Sequence, residues 1–532
     1  MDFEAEFDFI VVGGGSAGSA LASRLSESGK YSVALLEAGG KGDSFIVNTP
    51  LAAVAMLPTT LNNYAFETVP QAGLGGRRGY QPRGKCLGGS SAINAMIYTR
   101  GHPFDYDHWA ELGNAGWSYS DLLPYFIKSE CNSSLKDEYH GNSGPLHVSH
   151  LQSDNPFQNI FLTAAKEAGF PICKDFNGAS QEGLGIYQVT HQNGERCSAA
   201  RAYLFPHLGK RHNLHIKTQA QVQKLIIQDR RAIGVVYLEG GRQKQLFARR
   251  EVILSAGTFL SPQLLMLSGI GPASQLLQLD IPVIHDLPGV GQNLQDHPDF
   301  IFGYEAKDIN LLGFSPAGTL KLVKEFFRYQ QTRRGMFASN YAEAGGFLKT
   351  DPAISAPDIQ LHFVVALVDD HARKLRLKHG YSCHFCMLRP YSRGQVTLSS
   401  SNPKDAPLID PGFLKDERDM EIMLKGFKLT RQLMDAPVFQ KIRQRDVFTQ
   451  NINSDQDIRE IIRQRSDTVY HPVGTCKMGI DSMAVVNSAL KVNGIDNLRV
   501  VDASIMPTLI GGNTNAPVIA IAEKAADMIL GS

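Results

Sequence analysis

Phe7–Val12 (FDFIVV) is a short, mostly apolar run rich in β-forming residues, as a strand buried on both faces would be. It stops at Gly13-Gly14-Gly15-Ser16-Ala17-Gly18. Ser19–Ser28 then follows a helical pattern, and a second apolar run, Tyr31–Leu36 (YSVALL), ends at Glu37. Strand, helix and parallel strand are the predicted unit. Residues 213–256 read as successive strands (LHIKT, VQKLIIQ, AIGVVYLEG, QLFARREVILSAG) returning to that sheet. TFLSPQLLMLSGIG (258–271) reads as a helix opened by Ser261-Pro262 and closed at Gly269 or Gly271. LRVVDASIMP (498–507) is a strand leading into a loop. Asn515–Ile529 is a closing helix expected to pack on the N-terminal lobe.

The glycines of the first turn have separate jobs. Gly13 permits the tight turn, Gly15 lets the backbone approach a pyrophosphate, and Gly18 lets helix and strand pack closely. The pyrophosphate is expected at the helix N-terminus, near Ser16 and Ala17, where free N–H groups and about half a positive charge await it. Glu37 lies 19 residues beyond Gly18, beside Ala38, where an acid binds adenosine ribose hydroxyls. The turn alone does not choose FAD over NAD. The fold class expected is α/β, α+β overall. A Rossmann-like nucleotide lobe takes residues 1–154, 201–299 and 461–532, and is therefore assembled from both ends of the chain. A mixed sheet-and-helix substrate lobe takes 155–200 and 300–460, which carry no second nucleotide turn of this kind.

A chain of 532 residues is too long for one simple core, in keeping with more than one lobe. Hydrophobic residues at 43% and charged residues at 20% describe an ordinary globular protein. A formal net charge of +1 gives no basic field to collect nucleic acid. No apolar run reaches the roughly 18 residues needed to cross a bilayer. The acidic start MDFEAEFDFIVV enters a strand directly and does not read as a secretory signal. Seven irregularly spaced cysteines suit a reducing compartment, so a cytoplasmic location is expected. Cys383 and Cys386 form a CxxC, but YSCHFCML alternates as a strand does, and no second CxxC accompanies it.

A second glycine-rich turn follows the first by about seventy residues, in RGKCLGGSSAINAMIYTRG (83–101). With YHPVGTCKMG (470–479) and GGNTNAP (511–517), in that order, the chain resembles the glucose–methanol–choline oxidoreductases, which bind FAD and oxidise alcohols. The resemblance runs from Asp8 to Ile529 and takes in the 258–271 helix and PGVGQNLQDHP (288–298). It lays Gly84, Gly88, Ser90 and Ser91, and the apolar, helix-like run Ala92–Tyr98, along the isoalloxazine and pyrophosphate, with Asn94 and Ala95 near the flavin. Some relatives carry a flavin-linked histidine just before that asparagine. Ile93 stands there in this chain, so the FAD is expected to be dissociable. The same resemblance places Val222 at the adenine, and Asp502 and Ala503 at the flavin's pyrimidine side and phosphate.

His471 is the candidate base. Pro472 favours a fixed turn around it, and the resemblance sets it beside Asn513, 42 residues later, at the flavin N5 edge. Histidine titrates near working pH and can take a proton; an asparagine can hold the substrate oxygen. Asn515, in the same loop, is the rival for the second position, with fixing the loop or touching the flavin as its other roles. Glu343 matches a position near the substrate in relatives, and a surface or strand-end role competes with that reading. The reaction implied is oxidation of a primary, aliphatic alcohol to its aldehyde, with the hydroxyl proton going to His471 and a hydride to flavin N5. Electrons would then pass to a quinone-type acceptor or, alternatively, to oxygen. Choline dehydrogenation, a non-redox FAD lyase and a non-catalytic flavin scaffold are the other readings. Thr319–Phe337 has Leu320, Val323, Phe326 and Phe327 at helical spacing among lysines and arginines. That pattern suits either a half-buried helix or one lying on an anionic bilayer at the cytoplasmic face of the inner membrane.

Overall fold

The computed structural model describes residues 3–531. Strand β1 (Phe3–Val12) leads into helix α1 (Ser16–Ser26) and strand β2 (Val33–Leu36). The helix starts three residues earlier than the apolar pattern indicates, because Ser16 and Ala17 already lie in its first turn. Ile10, Val11 and all of β2 are buried, as strands covered on both faces must be. The sheet runs in the order Leu214–Lys217, β2, β1, Arg242–Leu254, Arg231–Glu239, Ala220–Gln228, and Leu498–Val500 pairs with Arg242–Leu254. Its first four strands are parallel, as is the pairing of Leu498–Val500, while Arg231–Glu239 runs antiparallel to both its neighbours.

The closing helix, Asn515–Leu530, returns to α1. Its Ile519, Ala522 and Ala526 share a core with Ala17, Leu21 and Leu25 of α1. Glu523, fully buried in that contact, receives two bonds from Arg24, at 2.8 and 2.9 Å, and one from the Tyr203 hydroxyl at 2.7 Å. Those donors are what makes a buried carboxylate tolerable there.

A second, wholly antiparallel sheet has the order Arg443–Asp446, Pro298–Ala306, Gly380–Met387, Ile359–Val364, Ala342–Leu348, Gly183–Ile186, with Asp467–Thr468 pairing Pro298–Ala306. Phe300, Phe302 and Phe385 on its outer face pack on Phe427 of helix Glu417–Met434, the Phe302 and Phe427 rings lying 4.7 Å apart. Gly426 permits that approach, since a Cβ there would stand 2.8 Å from the Phe385 ring. Cys383 and Cys386 lie within Gly380–Met387, both buried, and burial holds both thiols well above their ordinary range. The other face of this sheet looks toward the first, across a cavity.

Two expectations are corrected. Ala92–Tyr98 is not helical: a single 3-10 turn, Gly89–Ala92, gives way to extended chain in which Met96 has φ +60°. The run is apolar because it is buried between lobes, and burial without a helical period mimics a helix in sequence. The helix within 258–271 is shorter, Leu260–Leu267, ahead of Gly269 at φ +80°.

Candidate active site

The two glycine turns are folded against each other. Gly13, at φ +99°, would place a Cβ 2.5 Å from Ser255 O, and a Cβ on Gly18 would fall 1.9 Å from Gly13 O. Gly15 is different: a Cβ there would come no closer to another residue than 4.0 Å, at Gly89 Cα, so its face is open. Gly88 N donates to Gly14 O at 2.7 Å and locks the turns together. The open face belongs to a cavity of about 820 Å³, the size of a cofactor site. Gly13, Gly15, Ser16 and Ala17 line it at the start of α1, and Gly84, Ser90, Asn94 and Ala95 line it along the second turn. Glu37, Ala38 and Val222 mark one end. His471, Asn513 and Asn515, with Asp502 and Ala503, mark another stretch of its wall.

A long dinucleotide fits these residues. The uncovered Gly15 leaves room for a phosphate against the backbone, and two helix N-termini meet at the cavity, where the Ser16 hydroxyl donates to Asn515 Oδ1 at 2.8 Å. Glu37 accepts from Gly14 N at 2.9 Å and Gly39 N at 2.8 Å; burial nonetheless raises its carboxyl to about 7. Asp502 is saturated by Gly257 N, the Ser261 hydroxyl and both donors of Ser504, which fixes the turn that carries Ala503. Gly18, Gly88 and Ser91 do not line the cavity. Ser91 instead spends its hydroxyl on Gly88 O and accepts from Ala199 N at 2.9 Å, so it braces the turn.

The base position follows from strand pairing. Gln295 and Val473 pair across an antiparallel bridge and Pro298 pairs with Thr468; between these points the register shifts by two residues, Tyr470 takes φ +75°, and the side chains of His297 and His471 meet. The His471 backbone N–H donates to Asp296 Oδ1 at 2.8 Å, and Pro472 O accepts from Thr258 at 2.7 Å. His471 Nδ1 lies 3.0 Å from His297 Nδ1, and His297 Nε2 lies 3.0 Å from Leu388 O. A carbonyl only accepts, so His297 carries its proton on Nε2. Burial drives the pKa of His297 to about 3, so it is neutral and its Nδ1 must accept. His471 therefore donates from Nδ1 and presents a lone pair at Nε2. Burial, with His297, His362 and Arg83 adding to it, holds the His471 pKa well below the ordinary value, keeping that lone pair unprotonated.

Asn513 Nδ2 sits 3.1 Å from His471 Nε2. Its Oδ1 accepts from Gln360 Nε2 at 2.9 Å and from the Thr99 hydroxyl at 3.2 Å, which sets the carboxamide's direction. An oxygen at the third corner of this pair could accept from Asn513 and give its proton to His471. Asn515, the rival, is held by Ser16 instead. Glu343 is not at the cavity. It is buried beneath Ser339, whose hydroxyl donates to it at 2.5 Å, and Gln158, at 3.3 Å; Tyr341 and Ala342 line the wall in its place. On a strand, side chains alternate, and Glu343 falls on the opposite face from the cavity.

Sequence reasoning missed His297, His362, Gln360 and Thr99. His297 had a signal: His-Pro occurs at 297–298 as it does at 471–472. His362, buried at the cavity with neither ring nitrogen bonded, pairs in register with His384 on the adjacent strand, and nothing in the sequence marks either.

The GMC oxidoreductase family profile matches residues 7–299 and 390–522. An alcohol dehydrogenase (acceptor) of Pseudomonas putida is 44% identical over 98% of this chain and 96% of its own length. Mouse mitochondrial choline dehydrogenase is 42% identical over 99% of this chain and 90% of its own. Among solved structures, pyridoxine 4-oxidase from Mesorbium loti superposes with TM-score 0.89 at 32% identity, covering 99% of both chains. An Aspergillus oryzae formate oxidase studied for FAD modification gives 0.92 at 29%, covering 100% of this chain and 99% of that one. With both family segments matched and the cavity shaped for a long dinucleotide, the chain belongs to the glucose–methanol–choline oxidoreductases and is an FAD-dependent enzyme of that family.

Proposed function

We propose that this enzyme oxidises an uncharged, aliphatic primary alcohol to its aldehyde. The observation that carries this reading is the 3.1 Å pairing of Asn513 Nδ2 with an unprotonated His471 Nε2 at the cavity wall. When bound, FAD supplies the acceptor for the carbinol hydride. The chain's own residues do the rest. Asn513 donates to the alcohol oxygen and fixes its place. His471 Nε2 takes the hydroxyl proton, and the charge that develops on the nitrogen is shared through Nδ1–H with His297. Gln360 and Thr99 hold the carboxamide in place, so binding only exchanges the Asn513–His471 contact for contacts of both groups with the alcohol oxygen.

Similarity to the Pseudomonas putida alcohol dehydrogenase supports an alcohol, and similarity to choline dehydrogenases makes choline the competitor. A quaternary ammonium calls for a carboxylate with charge to spare within an aromatic cage. Asp299, two residues from His297, meets His384 Nδ1 at 2.7 Å and does not line the cavity, so it offers a bound cation no carboxylate at the wall. Anaerobic titration with a panel of alcohols that includes choline tests the reading: bleaching of the flavin by 1-alkanols supports it, and bleaching by choline alone overturns it.

Three finer points belong to the same proposal. Ile93 leaves no histidine beside Asn94 to link the flavin, so FAD should be released by acid precipitation. The nucleotide lobe is that of residues 1–154, 201–299 and 461–532, with substrate residues coming from the second sheet. Electrons leave to a quinone-type acceptor at a membrane surface. In support, the basic amphipathic helix Pro316–Thr332 exposes Leu320 (57%), Val323 (49%) and Phe327 (60%), next to Phe314 (62%) on the cavity rim. Among the described residues no helix is long and apolar enough to cross a membrane. Sedimentation with anionic vesicles, lost on Leu320→Glu/Phe327→Glu, tests this docking.

A further inference from the structure

Among the described residues three arginines are almost wholly buried, and two of them have carboxylates: Arg100 meets Glu130 at 2.8 Å and Arg499 meets Glu251 at 2.6 Å. Arg196, 1% exposed, has none among the described residues. Its guanidinium donates to carbonyls instead: to Val47 O at 2.9 Å, Ser91 O at 3.1 Å and Asn94 O at 2.7 Å. It also donates to Asn94 Oδ1 at 2.8 Å, and Nη2 has no partner. Leaving a cation unpaired in the interior is costly, and a fold that tolerates it usually does so for a function. Burial lowers the Arg196 pKa only to about 10, so the charge persists at neutral pH.

Arg196 stands directly behind the cavity wall. Asn94 lines the cavity, and its Oδ1 is taken by Arg196 and by Met96 N at 3.0 Å. Nδ2 is then the end of that carboxamide left to meet a bound group. Tyr341, a second wall residue, is close enough to the guanidinium to favour its charged form. Alcohol oxidation sends the hydroxyl proton to His471 and two electrons with the second hydrogen to FAD. The carbinol becomes an aldehyde, and the cofactor gains one negative charge. An unpaired cation behind the wall would favour that charge, and a low-dielectric interior makes the effect strong.

We propose that Arg196 is a positioning residue for the cofactor: it aims Asn94 Nδ2 into the cavity, and its uncompensated charge biases bound FAD toward the reduced, more negative state. The inference rests on FAD occupying this cavity but not on which alcohol is oxidised. Flavin absorbance reports the cofactor directly, so failure here and failure of the alcohol reading are distinguishable.

The test is sulfite titration and equilibrium reduction of the holoenzyme. Sulfite adds to electron-poor flavin and reports the same bias. Arg196→Gln should weaken sulfite binding at least tenfold and lower the two-electron potential by about 30 mV for each tenfold change in the reduction equilibrium. Arg196→Lys, which keeps the charge and loses the planar fork, should stay within about threefold of wild type in sulfite affinity. An FAD-replete Arg196→Gln with unchanged sulfite affinity and potential would overturn the proposal, as would an Arg196→Lys that loses tenfold. Should Arg196→Gln fail to retain FAD, Arg196→Lys decides: wild-type sulfite affinity supports the charge, and a tenfold loss refutes it.

Discussion

His297 and His471 meet Nδ1 to Nδ1 at 3.0 Å, with their rings at 85°. Leu388 O claims the one proton of His297, so the contact is a hydrogen bond only if His471 donates. The proton-accepting tautomer of the base is thus set by a carbonyl two bonds away. His297→Phe should leave FAD bound and lower kcat/KM by about tenfold or more, within the roughly 10²–10⁴-fold worth of a general base. A variant as fast as wild type would show that His471 keeps its tautomer unaided.

Replacing the base itself is the sharper loss. His471→Ala should purify yellow and lose about 10²–10⁴-fold in turnover, because Asn513 alone can hold but not deprotonate the alcohol. Near-normal rates at neutral pH would move the base elsewhere.

Gly15→Val tests the cofactor cradle. Its Cβ would meet nothing in the protein closer than Gly89 Cα at 4.0 Å, so the fold should survive while the side chain occupies the pyrophosphate's space. The expected product is a folded, colourless apoprotein by circular dichroism and absorbance. A saturated, yellow variant would contradict it.

Glu343 gives a pH signature. Burial pushes its carboxyl from 4.5 to about 7, so in that window the folded chain keeps a proton the unfolded chain has lost. Its contribution to stability therefore falls as pH rises through the window, by about 3 kcal/mol in all at roughly 1.4 kcal/mol per pH unit. Glu343→Gln cannot titrate, so its Tm relative to wild type should climb between about pH 5 and pH 8. A constant difference would show that Glu343 is not protonated in the fold.

The sequence-readable parts share a physical cause. The β1–α1–β2 unit, the strands of 213–256 and the closing helix were legible because each is a continuous apolar or β-rich run or a helical pattern bounded by turn residues. His471 and Asn513 were legible through the blocks around them. What was not legible came from pairing between distant segments. His297 meets His471 only because segment 467–473 pairs back on 295–299, with a register shift between them, and Gln360 reaches Asn513 only because one strand of the second sheet lies over the 511–517 loop. Glu343 went astray for the complementary reason: motif position locates a strand but not which of its two faces looks inward.

The bond from Ser16 to Asn515 and the ion pair from Arg24 to Glu523 each join residues 499 positions apart. A nascent chain that has emitted its first four hundred residues therefore still lacks both the lid on α1 and the strand Leu498–Val500. The nucleotide site is complete only once segment 498–530 has joined it, and deleting Asn515–Leu530 would uncover α1 rather than trim a tail.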